Sequence, residues 1–229
     1  MVFDKIQNKF KKRSLMAKGF KLMKQDNYEK ALKCYNNALK LDSNDINVQI
    51  SKGAVLKLLG RHDEALNCFD EILKSHPESI TALANKSLIL IDIGKYEDAL
   101  DCSNSALELD PKDFGAWISR GVALEKLDKY EEALKCYDKL LELFPKFIWA
   151  WINKGIVLTE LKEYQKALEC FDKYLGQDPN EERAWYNKGI VLKHAEKYEE
   201  ALECFKKALE LDPDYEDAKK AKEELLSSI

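Results

Sequence analysis

A spacing of 34 residues recurs along the chain, and it limits the possible folds more than any other feature. All six cysteines, all five prolines and a set of six alanines share it. The recurring residues are Cys34, Cys68, Cys102, Cys136, Cys170 and Cys204; Pro77, Pro111, Pro145, Pro179 and Pro213; and Ala31, Ala65, Ala99, Ala133, Ala167 and Ala201. Six repeats without insertions follow: 12–45, 46–79, 80–113, 114–147, 148–181 and 182–215. Such repeats are expected to contact mainly their neighbours.

Each repeat predicts two amphipathic helices. Positions are numbered 1 to 34 within a repeat. In the fifth repeat, apolar residues at helical spacing are Trp151, Ile152, Ile156, Leu158 and Leu161, then Tyr164, Ala167, Leu168, Phe171 and Leu175. A break near position 15 (Gly60, Gly94, Asp128) separates the helices, and proline ends the second one. No segment alternates with a period of two, so an all-α fold is expected.

The residues at fixed positions carry a resemblance to a known family. Trp117, Trp151 and Trp185 stand at position 4; Gly19, Gly53, Gly121, Gly155 and Gly189 at position 8; and Tyr35, Phe69, Tyr137, Phe171 and Phe205 at position 24. With alanine at position 20 and proline at position 32, the chain resembles the tetratricopeptide repeat family. The resemblance covers the six repeats and implies a right-handed solenoid of antiparallel helix pairs. Residues 1–11 are then a leading helical extension, and 216–229 a polar capping helix.

The chain departs from the family pattern at four positions. Position 11 is leucine throughout, and position 7 is lysine or arginine throughout. We interpret position 7 as scaffold, with its stem covering apolar surface and its charge in water; a functional charge ladder is the alternative. The third repeat has Ser87 at position 8 and Ser103 at position 24, which predicts weaker packing there and a Ser87–Ser103 hydrogen bond.

Charge and hydropathy exclude several kinds of partner. The net charge of -4 argues against nucleic acid, which binds basic surfaces. Residues 1–45 hold eleven Lys/Arg and five Asp/Glu, a net +6, whereas residues 182–229 hold nine and twelve, a net -3. A basic end that attracts an acidic partner and an ordinary solvated surface both fit this asymmetry. No apolar run approaches the ~20 residues of a membrane span, and no signal peptide is predicted, so we expect a cytoplasmic protein.

The sequence shows no pattern typical of catalysis, cofactor binding or metal binding. It lacks a glycine-rich phosphate loop, a GxSxG motif and an HExxH motif. The three histidines are scattered, and no CxxC pair is present. The cysteines occupy one position in successive repeats, too far apart for disulfides, so free thiols are expected. We therefore predict neither an enzyme, nor a cofactor, nor a metal site.

The family resemblance implies that positions 2, 5, 6, 9, 12 and 13 of the first helices face a concave groove. Position 6 supplies an amide and hydroxyl row with Asn85, Ser119, Asn153 and Asn187, and positions 5 and 9 supply apolar stripes with Ile118, Ile152, Ile156, Tyr186 and Ile190. Asparagine pairs with any peptide backbone, while the stripes would accept side chains. An ordinary repeat consensus explains the asparagines equally well. The family's carboxylate clamp requires polar residues at positions 5 and 9, so it is absent.

The junction "FPKFIWAW" (144–151) is apolar where the corresponding stretches are polar. Trp151 occupies position 4 and is expected to pack. Trp149 occupies position 2, where the other repeats have Arg13, Asn47, Thr81, Gly115 and Arg183. Trp149 either closes the turn as a hydrophobic staple or forms a recognition hot spot. With Gly115 leaving space beside it, we hypothesise a pocket bounded by Ile118, Trp149, Ile152 and Tyr186.

These features predict a non-enzymatic interaction scaffold that binds a protein or peptide segment in the groove. The alternative is a self-associating assembly protein, a homo-oligomer formed through the apolar junction or the end repeats. Fold alone does not identify the partner.

Overall fold

The computed structural model describes residues 2–228, with side chains described from residue 6 onward. Within this range it contains thirteen α-helices and no strand, which confirms the all-α prediction. The helices are α1 (Val2–Met23), α2 (Tyr28–Leu39), α3 (Ile46–Leu58), α4 (His62–Ser75), α5 (Ile80–Asp92), α6 (Tyr96–Leu109), α7 (Phe114–Lys126), α8 (Tyr130–Leu143), α9 (Trp149–Glu160), α10 (Tyr164–Leu175), α11 (Glu182–His194), α12 (Tyr198–Leu211) and α13 (Glu216–Ser228). The even-numbered helices from α2 to α12 each begin at position 17 of a 34-residue step.

The chain divides into two compact halves, an N-terminal half of residues 1–120 and a C-terminal half of residues 121–229. In the N-terminal half, the core contains Tyr35, Leu56, Phe69, Ile72 and Ile89. In the C-terminal half, one cluster surrounds Phe171 and Tyr174, and another includes Phe205, Ala221 and Leu225. Burial of these large apolar side chains is the main stabilising term in each half.

The contact between positions 8 and 24 explains why most repeats combine glycine with an aromatic residue. A Cβ atom added at Gly19, Gly53, Gly121, Gly155 or Gly189 would lie 2.6–2.8 Å from the ring at position 24 of the same repeat. Real Cβ atoms do not approach this closely, so the helix pair needs glycine there. The sequence recurrence at these two positions is therefore a packing requirement of each helix pair.

In the third repeat, serines occupy both positions of this contact, position 8 and position 24. Ser87 and Ser103 are both fully buried. The predicted bond between them is wrong. Instead, the Ser87 hydroxyl donates across the helix pair to the Ala99 carbonyl at 2.7 Å, and the Ser103 hydroxyl donates to the Leu100 carbonyl of its own helix at 2.9 Å. Buried carbonyls are strong acceptors, and they satisfy each hydroxyl locally.

The break between the two helices of a repeat has one backbone geometry throughout. The residue at position 15 has a positive φ in every case: Asp26, Gly60, Gly94, Asp128, Lys162 and Glu196, with φ from 53° to 76°. A left-handed residue commonly ends a helix, and glycine is preferred because it has no Cβ to clash. Only two of the six are glycine, so the turn is imposed by the packing of the helices on either side.

The basic residue at position 7 has a specific partner that the sequence analysis missed. Lys86, Lys154 and Lys188 each pair at 2.6 Å with an aspartate sixteen residues earlier, namely Asp70, Asp138 and Asp172. Each pair joins a first helix to the second helix of the preceding repeat. The signal was available, because an aspartate stands at position 25 before each of these lysines. This arrangement agrees with the scaffold interpretation of position 7.

The two ends of the chain continue the helical pattern. From residue 2 onward, the predicted extension 1–11 forms the first part of α1. It continues without a break into the first repeat, because α1 runs from Val2 to Met23. At the other end, α13 buries Ala218, Ala221 and Leu225, the last two in a cluster with side chains of α11 and α12.

Candidate functional site

The first helices α9 and α11 of the C-terminal half carry most of the candidate binding residues. Asn153 and Ile156 lie on α9, and Tyr186, Asn187 and Ile190 lie on α11. All five are half-buried, so each is held by its surroundings while retaining surface for a ligand. In the N-terminal half, Asn85 on α5 and Ile118 on α7 are also half-buried.

Two of the predicted site residues contribute no accessible surface. Ile152 is only 1% exposed and belongs to the core cluster around Phe171 and Tyr174. Ser119 is fully buried, and its hydroxyl donates to the Gly115 carbonyl one turn earlier. The prediction that these two side chains face a groove is therefore wrong: helical spacing puts them in line with partly exposed neighbours, yet both are buried.

The asparagine row is partly engaged with its own helices. The side-chain amide of Asn85 donates to the Thr81 carbonyl at 2.8 Å, and that of Asn187 donates to the Arg183 carbonyl at 2.8 Å. Each amide has a second N–H and a carbonyl oxygen in addition to the bond it makes. The bond to the preceding turn fixes the rotamer, so that the remaining polar atoms are held in a defined direction.

The space expected beside Gly115 is limited within the N-terminal half. A Cβ atom at Gly115 would lie 3.5 Å from the Ala84 Cβ and 3.5 Å from the Asp113 Oδ1, which is ordinary van der Waals contact. Because Ile152 is also buried, the hypothesised pocket loses one of its walls. Of the four residues of the hypothesised pocket, Trp149 and Tyr186 are the aromatic ones, and both keep accessible surface in the C-terminal half.

The apolar junction 144–151 changes how its helix begins. Elsewhere, Asp45, Ser79 and Asp113 cap first helices by accepting bonds from backbone N–H groups. At the junction, Phe147 occupies the corresponding position, and α9 begins one position later, at Trp149, without a side-chain cap. The loss of a cap typically costs ~1 kcal/mol. At this junction, Ile148 and Trp151 pack against the core cluster around Phe171 and Tyr174.

Trp149 combines the two roles that the sequence left open. Its ring lies 5.4 Å from that of Tyr174 at an interplanar angle of 58°, a favourable tilted aromatic pair. It nevertheless keeps 40% of its surface exposed, although its partner Tyr174 is fully buried. Trp149 therefore closes the junction with one face and offers the rest of its ring to solvent.

Trp151 is packed, but less completely than its position suggested. It contacts the core cluster of the C-terminal half and is half-buried. The Lys173 Nζ lies 4.4 Å from its ring centroid, and the Lys154 Nζ lies 5.6 Å from it. These cation–π contacts show that the ring is partly covered by basic side chains of the chain itself.

The cysteine side chains of the C-terminal half are buried thiols. All six cysteines are free, and burial raises the pKa of both Cys170 and Cys204 to about 11. The protonated thiol is not nucleophilic, so these residues are poor candidates for reaction. Among the residues that the structure describes, no group of His, Cys, Asp or Glu is arranged to hold a metal ion. In the same part of the chain, no helix has the length and apolar character needed to cross a membrane.

Family models match much of the chain. One model described as tetratricopeptide repeat matches residues 13–45 and 182–215, and a second with the same description matches residues 126–184. A model for subunit 3 of the anaphase-promoting complex, or cyclosome, matches residues 60–140. No curated protein sequence matches the chain.

Solved structures with the same fold include YrrB, described as a TPR protein with an unusual peptide-binding site. It is 25% identical, with a TM-score of 0.65 over 82% of this chain and 97% of YrrB. The Cut9–Hcn1 hetero-tetramer of the APC/C contains a chain with a TM-score of 0.85 and 16% identity. That match covers 94% of this chain but only 43% of the other. PilF of Pseudomonas aeruginosa has a TM-score of 0.79 and 17% identity, covering 95% and 99%. The last two likenesses concern the fold alone.

Proposed function

Because this chain belongs to the tetratricopeptide repeat family, we propose that it is a non-enzymatic protein-interaction scaffold that binds a peptide segment along its first helices. The observation that carries the proposal is the 40% exposure of Trp149 at the start of α9. An exposed tryptophan that is anchored from one side loses little side-chain entropy on binding and is typical of interaction hot spots.

The surface of α9 and α11 is suited to an extended or helical segment. Asn153 and Asn187 would pair with the peptide backbone, independently of its sequence. Ile156, Tyr186 and Ile190 would receive apolar side chains beside them. YrrB, which is described as having a peptide-binding site, supports this class of ligand for a similar chain.

A peptide library displayed on phage tests the proposal directly. Peptides selected on the wild-type protein would be titrated by fluorescence polarisation against the variant Asn153→Ala/Asn187→Ala. We expect at least a tenfold rise in Kd, since each lost hydrogen bond contributes about 1 kcal/mol. Asn67→Ala is the matched control, because Asn67 is an exposed helical asparagine on α4, in the N-terminal half. Failure to select any peptide, or equal binding by both variants, would contradict the proposal.

Self-association is the second candidate function, and exposed apolar residues of α1 favour it. Ile6, Phe10 and Phe20 have 49%, 68% and 56% of their surfaces exposed. Light scattering coupled to size-exclusion chromatography would show a mass that rises with concentration and returns to the monomer in Phe10→Lys. A monomeric wild type at high concentration would remove this candidate.

A further inference from the structure

The first helix, α1, has apolar side chains on two opposite sides. On one side, four residues pack against the core of the N-terminal half: Leu15, Met16, Leu22 and Met23. On the other side, Ile6, Phe10 and Phe20 are exposed. The helix is also longer than α3 and α5, with 22 residues against 13 in each of them, and Ile6 and Phe10 precede the first repeat. Large apolar side chains grouped on one exposed face mark an interaction site.

The exposed side of α1 carries a regular line of side chains, which we call the α1 seam. Its six members are all exposed and recur at alternating steps of four and three residues: Ile6, Phe10, Arg13, Ala17, Phe20 and Lys24. Lys24 continues the last turn, since its N–H donates to the Phe20 carbonyl at 3.2 Å. Steps of four and three present a continuous stripe to a second helix that lies alongside. At 1.5 Å per residue the seam is about 27 Å long, so it matches a helical partner.

The surface around the seam is strongly basic. Residues 6–24 contain seven Lys/Arg and no Asp/Glu. Within the part of the chain that the structure describes, only Lys12 of these seven forms an ion pair, with Asp42 at 2.7 Å and with Asp45. The positive charge that the sequence places near its start is therefore concentrated on one exposed helix and is largely uncompensated there.

Basic and apolar side chains alternate along the seam. Arg13 and Lys24 are members of it, and the Lys24 Nζ lies 4.9 Å from the centroid of the Phe20 ring. Lys9 and Lys21 are exposed beside the seam, on opposite sides of it by helical geometry. Charges that flank an apolar seam select the charge of the partner helix. A partner must therefore supply apolar side chains bordered by carboxylates.

We propose that the α1 seam docks an amphipathic helix of another protein, with an apolar stripe bordered by Asp and Glu. The stripe would pack against Ile6, Phe10 and Phe20, and the carboxylates would pair with the basic residues in and beside the seam. The seam belongs to the N-terminal half, whereas the peptide surface proposed above belongs to the C-terminal half. The proposal therefore goes beyond that function and adds a second docking surface.

Other occupants fit the charge pattern less well. Two α1 helices facing each other, which the apolar residues alone would favour, would oppose seven basic residues to seven without a carboxylate in 6–24. At the acidic end of the chain, Glu203, Glu210 and Glu216 already pair with lysines three residues away. A helix that lies on a membrane keeps its charges away from its apolar face, whereas Arg13 and Lys24 stand within the seam.

A synthetic helix tests the seam without the natural partner. The acidic probe is a fluorescein-labelled peptide of three copies of the heptad Glu-Leu-Ala-Gln-Leu-Glu-Gln, and two comparison probes have every Glu replaced by Gln or by Lys. Fluorescence polarisation follows binding to the full chain. We expect the acidic probe to bind about tenfold more tightly than the glutamine probe, and the lysine probe not to bind. Raising the ionic strength should weaken binding, and hydrogen exchange should slow at residues 6–24.

Charge reversal within the seam locates the electrostatic contribution. Arg13→Glu/Lys24→Glu should raise the Kd of the acidic probe about fivefold or more, because attraction is replaced by repulsion at two positions. Lys30→Glu/Lys33→Glu is the matched control, since it changes the net charge equally at exposed lysines of α2. The control should change the Kd less than about twofold, because exposed charges away from the contact are screened.

Removal of the aromatic rings tests the apolar contribution. Phe10→Gln/Phe20→Gln should raise the Kd of the acidic probe about fivefold or more, since less apolar surface is buried. Leu58→Gln/Leu109→Gln is the matched control, because these leucines are exposed elsewhere in the N-terminal half. All the substituted side chains are exposed, so each variant should keep the circular dichroism spectrum of the wild type.

The outcomes distinguish the occupants. Equal binding of the three probes, or equal weakening by seam and control variants, would overturn the proposal. So would failure of the acidic probe, whether the seam then forms a dimer that Phe10→Lys dissociates or binds phosphatidylserine vesicles through Phe10 and Phe20. Library peptides that depend on Asn153 and Asn187 report separately on the proposed function, so either surface can fail while the other stands.

Discussion

Restoring a glycine–aromatic pair in the third repeat tests the packing rule that organises the fold. The double variant Ser87→Gly/Ser103→Phe would recreate the contact found in the other five repeats. Ser103→Phe alone places a ring against the Ser87 Cβ, since a Cβ at the equivalent glycines would lie 2.6–2.8 Å from the ring. Such overpacking typically costs ~1–3 kcal/mol.

The other changes can be estimated from the contacts. Ser87→Gly alone removes the bond to the Ala99 carbonyl, ~1 kcal/mol, and introduces glycine into a helix, ~1 kcal/mol. In the double variant, the buried ring contributes about 1.5–3 kcal/mol and offsets these losses. The two single variants should together lose ~3–5 kcal/mol, whereas the double variant should lie near the wild type. The coupling energy is then about 3–5 kcal/mol.

Urea unfolding followed by circular dichroism would measure the four proteins of the cycle. Repeat arrays do not always unfold in a single step, so hydrogen exchange of residues 80–113 provides a local measure. Gly155→Ser beside Phe171 is the reciprocal control, and it should be destabilising. Effects that add within about 0.5 kcal/mol would refute the reasoning, because they would show that the two positions are independent.

Further predictions concern the thiols, the turns, the aromatic pair and the last helix. Denatured protein without reductant should titrate six thiols, while Cys170 and Cys204 should react slowly in the native state at pH 8. Because their pKa is raised on folding, the free energy of unfolding should hold below about pH 9 and fall as the pH rises toward 11. Lys162→Gly should raise the melting temperature by relieving a positive φ, a gain of up to ~1 kcal/mol. Tyr174→Phe should change the free energy of unfolding by less than about 1 kcal/mol in urea, since the ring pair with Trp149 is kept and the buried hydroxyl faces the negative charge of Asp178; a larger loss would contradict this. Deleting 216–229 should cause aggregation visible by light scattering, with little change in helix content per residue.

The positions shared by all repeats could be interpreted from the sequence. Helix pairs, the break at position 15 and the pairing of Gly155 with Phe171 follow from a period in which one local solution recurs. These features depend on residues within one helix pair, where the sequence separation is short. The Lys188–Asp172 bridge was missed, although its 16-residue spacing recurs in three copies and could have predicted it.

Exposure was decided by tertiary packing. Helical spacing placed Ile152 in line with Ile156, yet Ile152 is buried and Ile156 is not, since coverage depends on the neighbouring helices rather than on the helix itself. Trp149 and Tyr174 are 25 residues apart and share no repeating pattern, so nothing in the period brings them together. The sequence determined which residues repeat. Only the folded arrangement decided which unrepeated side chains meet and which of them remain accessible to a partner.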